Sequence, residues 1–284
     1  SGIENLCSWF MNEGLADQNF LSRLCDDSDY KYWQTLTEAL LAAELHNTGV
    51  ELAKPHSGGG PDLRAVHEGK NVWIELTVPQ PEGVCADYLQ PSNGQLPKPP
   101  YDAILLRWTH AIKEKTEKLL GSEREPTGYL GKQVVQTNDA YVIGINGRML
   151  RQWAGDFNGR SGHPFAAEAV FPFEALQLQI DPESRQIVGH SHAHRPWVMN
   201  KNSKPVSTFM FLDPAYAAIS AIWATDIDEW VFMNKARKQM VVIHNPLATN
   251  PVHVGWLPCQ KEYVACQIGP DEYRLEAQAG RLAD

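Results

Sequence analysis

An acidic residue lies inside a short, strongly apolar run. Residues 72–78 read Val-Trp-Ile-Glu-Leu-Thr-Val and are bounded by Gly-Lys-Asn and Pro-Gln-Pro, which is typical of a strand buried on at least one face. Strand side chains alternate, so Trp73, Glu75 and Thr77 share one face. A carboxylate at Glu75 is costly there unless it meets a cation or hydrogen-bond donors, or unless its face is solvated. The run therefore indicates either a site at Glu75 or a strand with one wet face.

A second acidic residue, Asp62, precedes this strand by thirteen positions. Glycines at 58–60 and Pro61 form a flexible approach to a short strand, Asp-Leu-Arg-Ala-Val, and a polar turn then leads into Val72. This pattern predicts a β-hairpin, whose strands lie about 5 Å apart. Two carboxylates on neighbouring strands that face the same way repel each other and form a hard-cation site. We therefore expect Asp62 and Glu75 to bind Mg²⁺ or Mn²⁺.

A third acidic residue, Glu38, lies on the helix predicted before the hairpin. It comes three residues before Leu41 and seven before Leu45, at the border of the buried face. Glu44 is a rival for the same role, because it follows Leu40 by four residues.

A helix Glu, a Pro-Asp pair and an acidic residue in the following strand, here Glu38, Pro61-Asp62 and Glu75, resemble the PD-(D/E)XK phosphodiesterase superfamily. Glu38 is preferred to Glu44 because its distance of eleven residues to Gly49 fits that pattern. A looser resemblance extends to two later segments, so that the likeness touches most of residues 32–252. These segments are AISAIW at 218–223 and HNPLATNPV at 244–252.

The resemblance implies an α/β, restriction-endonuclease-like fold, with a mixed central sheet flanked by helices, extra N-terminal helices and extra C-terminal strands. It also implies a metal-dependent nuclease in which Asp62, Glu75 and Glu38 hold Mg²⁺ or Mn²⁺. The expected partner is nucleic acid, DNA rather than RNA, with no membrane contact. A homodimer is left open.

One position departs from that pattern, because Thr77 stands where the superfamily has a lysine that positions or activates the attacking water. In this superfamily the lysine also comes from a neighbouring helix. Lys115 falls three residues after Ile112 and four before Leu119, on the buried stripe of the predicted helix, and is our candidate. The other two lysines of segment 107–120, Lys113 and Lys118, are expected to point away from the buried stripe. The alternative is that all three lysines are solvated and paired with Glu114 and Glu117.

Composition restricts the class of protein. The chain has 284 residues, of which 43% are hydrophobic and 21% charged, enough for a folded core. Its net charge of −9 argues against non-specific coating of nucleic acid, although not against a nuclease. No apolar stretch approaches the roughly 20 residues that cross a membrane. Five cysteines without CxxC spacing indicate reduced thiols and a cytoplasmic protein.

The rest of the chain is divided into an N-terminal helical segment, 1–30, and a nuclease domain, 31–284. A Pro-rich insertion at 79–100 follows the strand of Glu75 and is expected to form a lid or a substrate-binding wall. Helices are predicted at 102–120 and within 165–180, the latter ending near Leu178. Strands are predicted at 139–145, 208–212, 220–225 and 240–243, with an edge hairpin at 263–275.

Two further features bear on function. A basic segment at 184–204 lacks acidic residues and is either a phosphate-contacting patch or a solvated loop. Within it, His190, His192 and His194 form an HxHxH set that offers ligands for Zn²⁺. Three hypotheses follow: a metal-dependent nuclease, a catalytically inactive module of the same fold that binds nucleic acid or a protein, and an unrelated metal hydrolase built on the three histidines.

Overall fold

A large mixed sheet lies at the centre of the computed structural model, which describes residues 2–56, 59–92, 97–151, 157–236, 239–269 and 272–282. Gly58, part of the predicted approach to the hairpin, lies outside this set. The described strands are β1 Leu52–Ala53, β2 Leu63–His67, β3 Lys70–Thr77, β4 Ala140–Asn146, β5 Phe173–Ile180, β6 Ile187–His194, β7 Trp197–Met199, β8 Pro205–Ser207, β9 Ala221–Thr225, β10 Met240–His244, β11 Lys261–Gly269 and β12 Glu272–Ala279.

The central sheet runs in the order β1-β2-β3-β4-β9-β10-β11-β12. The predicted hairpin is confirmed, since β2 and β3 pair antiparallel with Leu63 opposite Ile74. Strand β3 then pairs parallel with β4, and β4 pairs parallel with β9. The predicted edge hairpin is also confirmed, as β11 and β12 close the far side of the sheet. The mixed α/β class expected from the sequence is therefore present.

Helices cover both faces of this sheet. The described helices are α1 Gly2–Asn12, α2 Phe20–Leu24, α3 Asp29–Asn47, α4 Ala86–Leu89, α5 Tyr101–Leu120, α6 Phe165–Glu168 and α7 Glu229–Met233. Among them, none combines the length and the apolar character that a bilayer crossing requires. The five cysteines are not paired with one another.

Alternation along β3 divides the core into two layers. Ile74 and Leu76 belong to the layer that contains α3, whereas Trp73 belongs to the layer that contains α5. Helix α3 packs against β3 on one side and against α1 and α2 on the other, which explains why it is buried almost all round in its second half. Glu75 shares the face of Trp73, so its side chain points towards α5.

Two predictions of secondary structure are wrong. Residues 165–180 form only the single-turn helix α6 and then β5, because Leu176, Leu178 and Ile180 alternate with polar residues at the two-residue period of a strand. The predicted strand at 208–212 is a short 3₁₀ helix, Met210–Leu212, that follows β8. The next turn begins at Asp213, whose side chain accepts a hydrogen bond from the Ala215 amide, so the chain bends there.

Candidate functional site

Glu75 is almost completely buried, with 1% of its surface exposed, and is surrounded by donors. Its Oε1 accepts hydrogen bonds from Lys115 Nζ at 3.0 Å and from Lys118 Nζ at 2.7 Å. Its Oε2 accepts one from the Tyr129 hydroxyl at 3.3 Å. Because a buried carboxylate must be paired, these contacts explain how an acidic residue is tolerated in the middle of β3. The alternative of a solvated strand face is excluded.

Asp62 lies directly before β2, and the pairing of Leu63 with Ile74 brings it next to Glu75 across the hairpin. Its Oδ2 accepts a hydrogen bond of 2.6 Å from the Leu76 amide. Burial and then the negative charge of Glu75 raise the pKa of the Asp62 carboxyl to about 7, against the opposing effects of Lys115 and the Leu76 amide. The buried Glu75 carboxylate and the partly buried Asp62 carboxyl therefore disfavour each other's ionised form.

Glu38 is the third predicted site residue and is held on α3 with 7% of its surface exposed. Its carboxylate pairs with Arg23 of α2 at 3.3 Å. Burial, and next the charge of Asp62, raises the pKa of Glu38 well above its ordinary value, while Arg23 acts in the opposite direction. The charge of Asp62 thus acts on Glu38, although the Glu38 carboxylate is also paired with the Arg23 guanidinium. Its rival Glu44 is also buried on α3.

Of the three lysine predictions, two are right and one is wrong. Lys115 lies on the buried side of α5 and contacts Glu75, as predicted from its position on the apolar stripe. Lys113 is exposed and pairs with Glu117 at 3.7 Å, also as predicted. Lys118 was expected to point elsewhere, and this is wrong. Its long apolar stem carries the ammonium from a half-exposed position back to Glu75.

The charge of Glu75 also acts on Lys118. Burial disfavours the Lys118 ammonium, but the attraction of the Glu75 carboxylate and their hydrogen bond more than offset this effect and raise the pKa of Lys118. The lysine therefore stays charged in the site.

Tyr129 was missed by sequence reasoning, because nothing in the segment after α5 marks it as a site residue. Its hydroxyl lies 3.3 Å from Glu75 Oε2 and 3.4 Å from the carbonyl oxygen of Gly60. Burial, and then the charge of Glu75, raises the pKa of the Tyr129 phenol. At Gly60, φ is +155° and an added Cβ would lie 2.9 Å from Val134 Cγ1. Only glycine therefore allows the backbone at position 60 to lie this close to Val134.

The carboxylates are not clustered as tightly as a preformed metal cage. Within the described residues, the trio of ligand atoms that lie within 4.8 Å of one another comes from His67, Glu68 and His253. Glu38, Asp62 and Glu75 do not meet this criterion as a set. The trio of His67, Glu68 and His253 was missed in the sequence, because His253 is far along the chain from the adjacent pair His67 and Glu68.

The three histidines of the HxHxH set lie on strand β6. They do not form a ligand trio within 4.8 Å among the residues that the structure describes. The ring of His192 packs at 5.2 Å from that of His163, and its Nδ1 lies 2.9 Å from the carbonyl oxygen of Glu174. The arrangement does not favour a zinc hydrolase built on these residues.

The basic segment is less positive than its sequence indicates. Arg195 donates to Glu168 Oε2 at 2.9 Å and to Asp102 Oδ1 at 3.1 Å, so acidic residues from elsewhere in the chain neutralise it. Lys201 and Lys204 lie in an exposed turn between β7 and β8. The basic segment 184–204 therefore resembles a solvated loop more than a continuous phosphate-binding patch.

The raised pKa values predict an unusual dependence of stability on pH. Between the ordinary value of 3.8 and about 7, Asp62 binds more protons in the native state than in the unfolded chain, and Glu38 acts in the same direction. The free energy of unfolding should therefore fall as pH rises through this window, with a limiting slope of about 1.4 kcal/mol per pH unit for each such group. Urea denaturation without metal ions measures this slope.

The Asp62→Asn variant is the control for that measurement. It removes the titrating carboxyl, so its stability should depend less steeply on pH than that of the wild type. A wild-type stability that rises steadily from about pH 4.5 to about pH 7.5, with the same slope in the variant, would contradict the assignment.

Comparison of the chain with protein-family models, with curated proteins and with solved structures yields no match.

Proposed function

We propose that the chain is a metal-dependent nuclease of restriction-endonuclease-like fold that hydrolyses phosphodiester bonds. The observation that supports this most strongly is the 3.0 Å contact between Lys115 and Glu75, with Asp62 directly before the neighbouring strand β2. Thr77, at the motif position of the strand, supplies no positive charge. In this proposal the buried Lys115 of α5 supplies that charge instead. The arrangement provides the two carboxylates and the lysine that the sequence resemblance implies.

The chemistry of the donors fits a divalent cation. The pKa values of Asp62 and Glu38 are raised because burial and neighbouring negative charges destabilise their ionised forms. A hard cation beside them would stabilise those forms, and carboxylate oxygens are the ligands that Mg²⁺ and Mn²⁺ prefer. Asp62, Glu75 and Glu38 are the residues that would hold it. When bound, the ion would lower the pKa of a water molecule and stabilise negative charge on the phosphate.

The residues of the chain have distinct roles in this proposal. Lys115 is buried and contacts Glu75, so its amino group is held at a defined position beside that carboxylate. Lys118 has a side chain that is 44% exposed, and it can contact a phosphate from the solvent side. Because the net charge of the chain is −9, such local cations are needed to offset the general repulsion of nucleic acid. DNA is preferred to RNA as the substrate.

A second candidate function has its own supporting observation. Glu75 Oε1 already accepts hydrogen bonds from two ammonium groups, and Glu38 is paired with Arg23. A carboxylate with two cations around it attracts a metal ion less strongly. This favours a catalytically inactive module of the same fold that binds nucleic acid or a protein.

A cleavage assay tests the proposal. Purified protein should cleave labelled DNA, or RNA, in the presence of Mg²⁺ or Mn²⁺ and should stop when EDTA is added. Calorimetry with Mn²⁺ separates the two candidates, because the nuclease requires an ion at the carboxylates and the inactive module does not. Absence of cleavage on both substrates, together with absence of Mn²⁺ binding, would favour the inactive module.

A further inference from the structure

A second group of ligand-forming residues lies at the opposite end of the β2–β3 hairpin from the carboxylates. His67 is the last residue of β2, Glu68 is in the turn, and His253 comes from the segment before β11. Their ligand atoms lie within 4.8 Å of one another, and His253 Nε2 is 3.4 Å from Glu68 Oε2. Five residues of strand separate Asp62 from His67, which corresponds to roughly 15 Å. The two groups are therefore separate.

One nitrogen of the His67 imidazole is buried without a hydrogen bond to any residue that the structure describes. Its Nε2 is shielded from solvent and has no hydrogen-bond partner among the described residues. The ring is held by contacts with the rings of Trp256 and His253, each at 5.2 Å between centroids. A buried polar atom without a partner is unfavourable, and a bound ion or a water molecule held by it would remove that penalty.

A cavity of about 170 Å³ adjoins the trio. All three residues line it, together with polar side chains that include Asn71, Asn138 and Asn250. This volume is sufficient for several water molecules, and the amides provide them with hydrogen-bonding groups. A ligand bound to the trio would therefore face a polar, water-accessible space.

The backbone of the turn fixes the position of Glu68. Glu68 has φ of +50° and Gly69 has φ of +77°, the two positive values of a tight hairpin turn. A non-glycine residue adopts this conformation infrequently, so the direction of the Glu68 side chain is set by the turn and not by a mobile loop.

We propose that His67, Glu68 and His253 bind one Zn²⁺ ion and leave its fourth coordination position open towards the cavity. Two imidazoles and one carboxylate match the nitrogen and oxygen ligands that Zn²⁺ takes, and three protein ligands with one open position are typical of zinc sites that bind water or substrate. The carboxylate region around Asp62, by contrast, contains the oxygen ligands of a hard cation. The zinc site does not depend on the proposed nuclease activity.

Zinc titration with a competing chromophoric chelator tests the proposal on the full chain. The wild type should bind one Zn²⁺ tightly, and His253→Ala should weaken binding by more than about 100-fold, since loss of even an outer-shell partner weakens metal sites by 10- to 100-fold. The His253 side chain is 62% exposed, so its replacement should leave folding intact. Glu68→Gln provides an independent test, because it removes the carboxylate and keeps the side-chain shape.

Two control variants make the result specific. His190→Ala removes an exposed histidine of β6, and Asp87→Asn removes an exposed carboxylate of α4; both should bind Zn²⁺ like the wild type. A wild type without tight Zn²⁺ binding, or a His253→Ala variant whose affinity equals that of the wild type, would overturn the proposal. Loss of affinity in His190→Ala equal to that in His253→Ala would also overturn it.

Discussion

Asp62→Asn is expected to reduce metal-dependent phosphodiester cleavage by more than about 100-fold, since removal of a metal ligand exceeds the 10- to 100-fold effect of removing its outer-shell support. The substitution removes the negative charge while an amide oxygen remains to accept the hydrogen bond from the Leu76 amide. It also relieves the repulsion between Asp62 and Glu75, so the fold should be at least as stable above about pH 7 as in the wild type. Initial cleavage rates at saturating Mg²⁺ measure the effect.

Asp87→Asn is a matched control for that assay. Asp87 is exposed on α4, and its replacement makes the same change in net charge without altering the carboxylates of Asp62 and Glu75. It should cleave at the wild-type rate. Equal rates in wild type, Asp62→Asn and Asp87→Asn would show that any cleavage comes from another site or from a contaminant.

Glu75→Gln is expected to lower the free energy of unfolding by about 3–5 kcal/mol, the range typical of removing one partner from a buried ion pair. Lys115 would lose its ion-pair partner while its side chain stays only 6% exposed. Lys118 would lose the same partner but can turn into solvent, so most of the effect should come from Lys115. Urea denaturation at neutral pH measures the difference.

Glu117→Gln is the control for stability. Glu117 pairs with Lys113 on the exposed side of the same helix, one turn apart, and both side chains are largely solvated. The change should therefore stay within about 0.5 kcal/mol. If Glu75→Gln destabilises the chain no more than Glu117→Gln does, Glu75 is not the charge that holds Lys115 in the core.

The hairpin and its neighbouring strand β4 could be predicted from the sequence, because β3 and β4 are apolar runs bounded by turn residues. The choice of Lys115 could also be predicted, since its spacing from Ile112 and Leu119 fixes its direction on a regular helix. The spacing of residues along a helix or strand is therefore sufficient to predict the direction of a side chain that extends straight out from its backbone.

Three hydrogen-bond partners of the site carboxylates could not be predicted, because their side chains bend back along a helix or come from another segment of the chain. Lys118 reaches Glu75 through a flexible stem, so its helical position does not determine where its ammonium lies. Tyr129 and Arg23 arrive from segments distant along the chain, and no local pattern indicates their contacts with Glu75 and Glu38. At 165–180 the two-residue alternation was present, and it was missed because the preceding residues begin as a helix.

The proposed metal site at Asp62 and Glu75 can be tested with a crystal of the protein soaked in Mn²⁺, in which anomalous scattering locates the ion. We expect an anomalous peak within coordination distance of carboxylate oxygens of Asp62 and Glu75, with the Lys115 ammonium adjacent. A Mn²⁺-soaked crystal in which Glu75 is still bonded to both lysines, with no ion at Asp62, would contradict it.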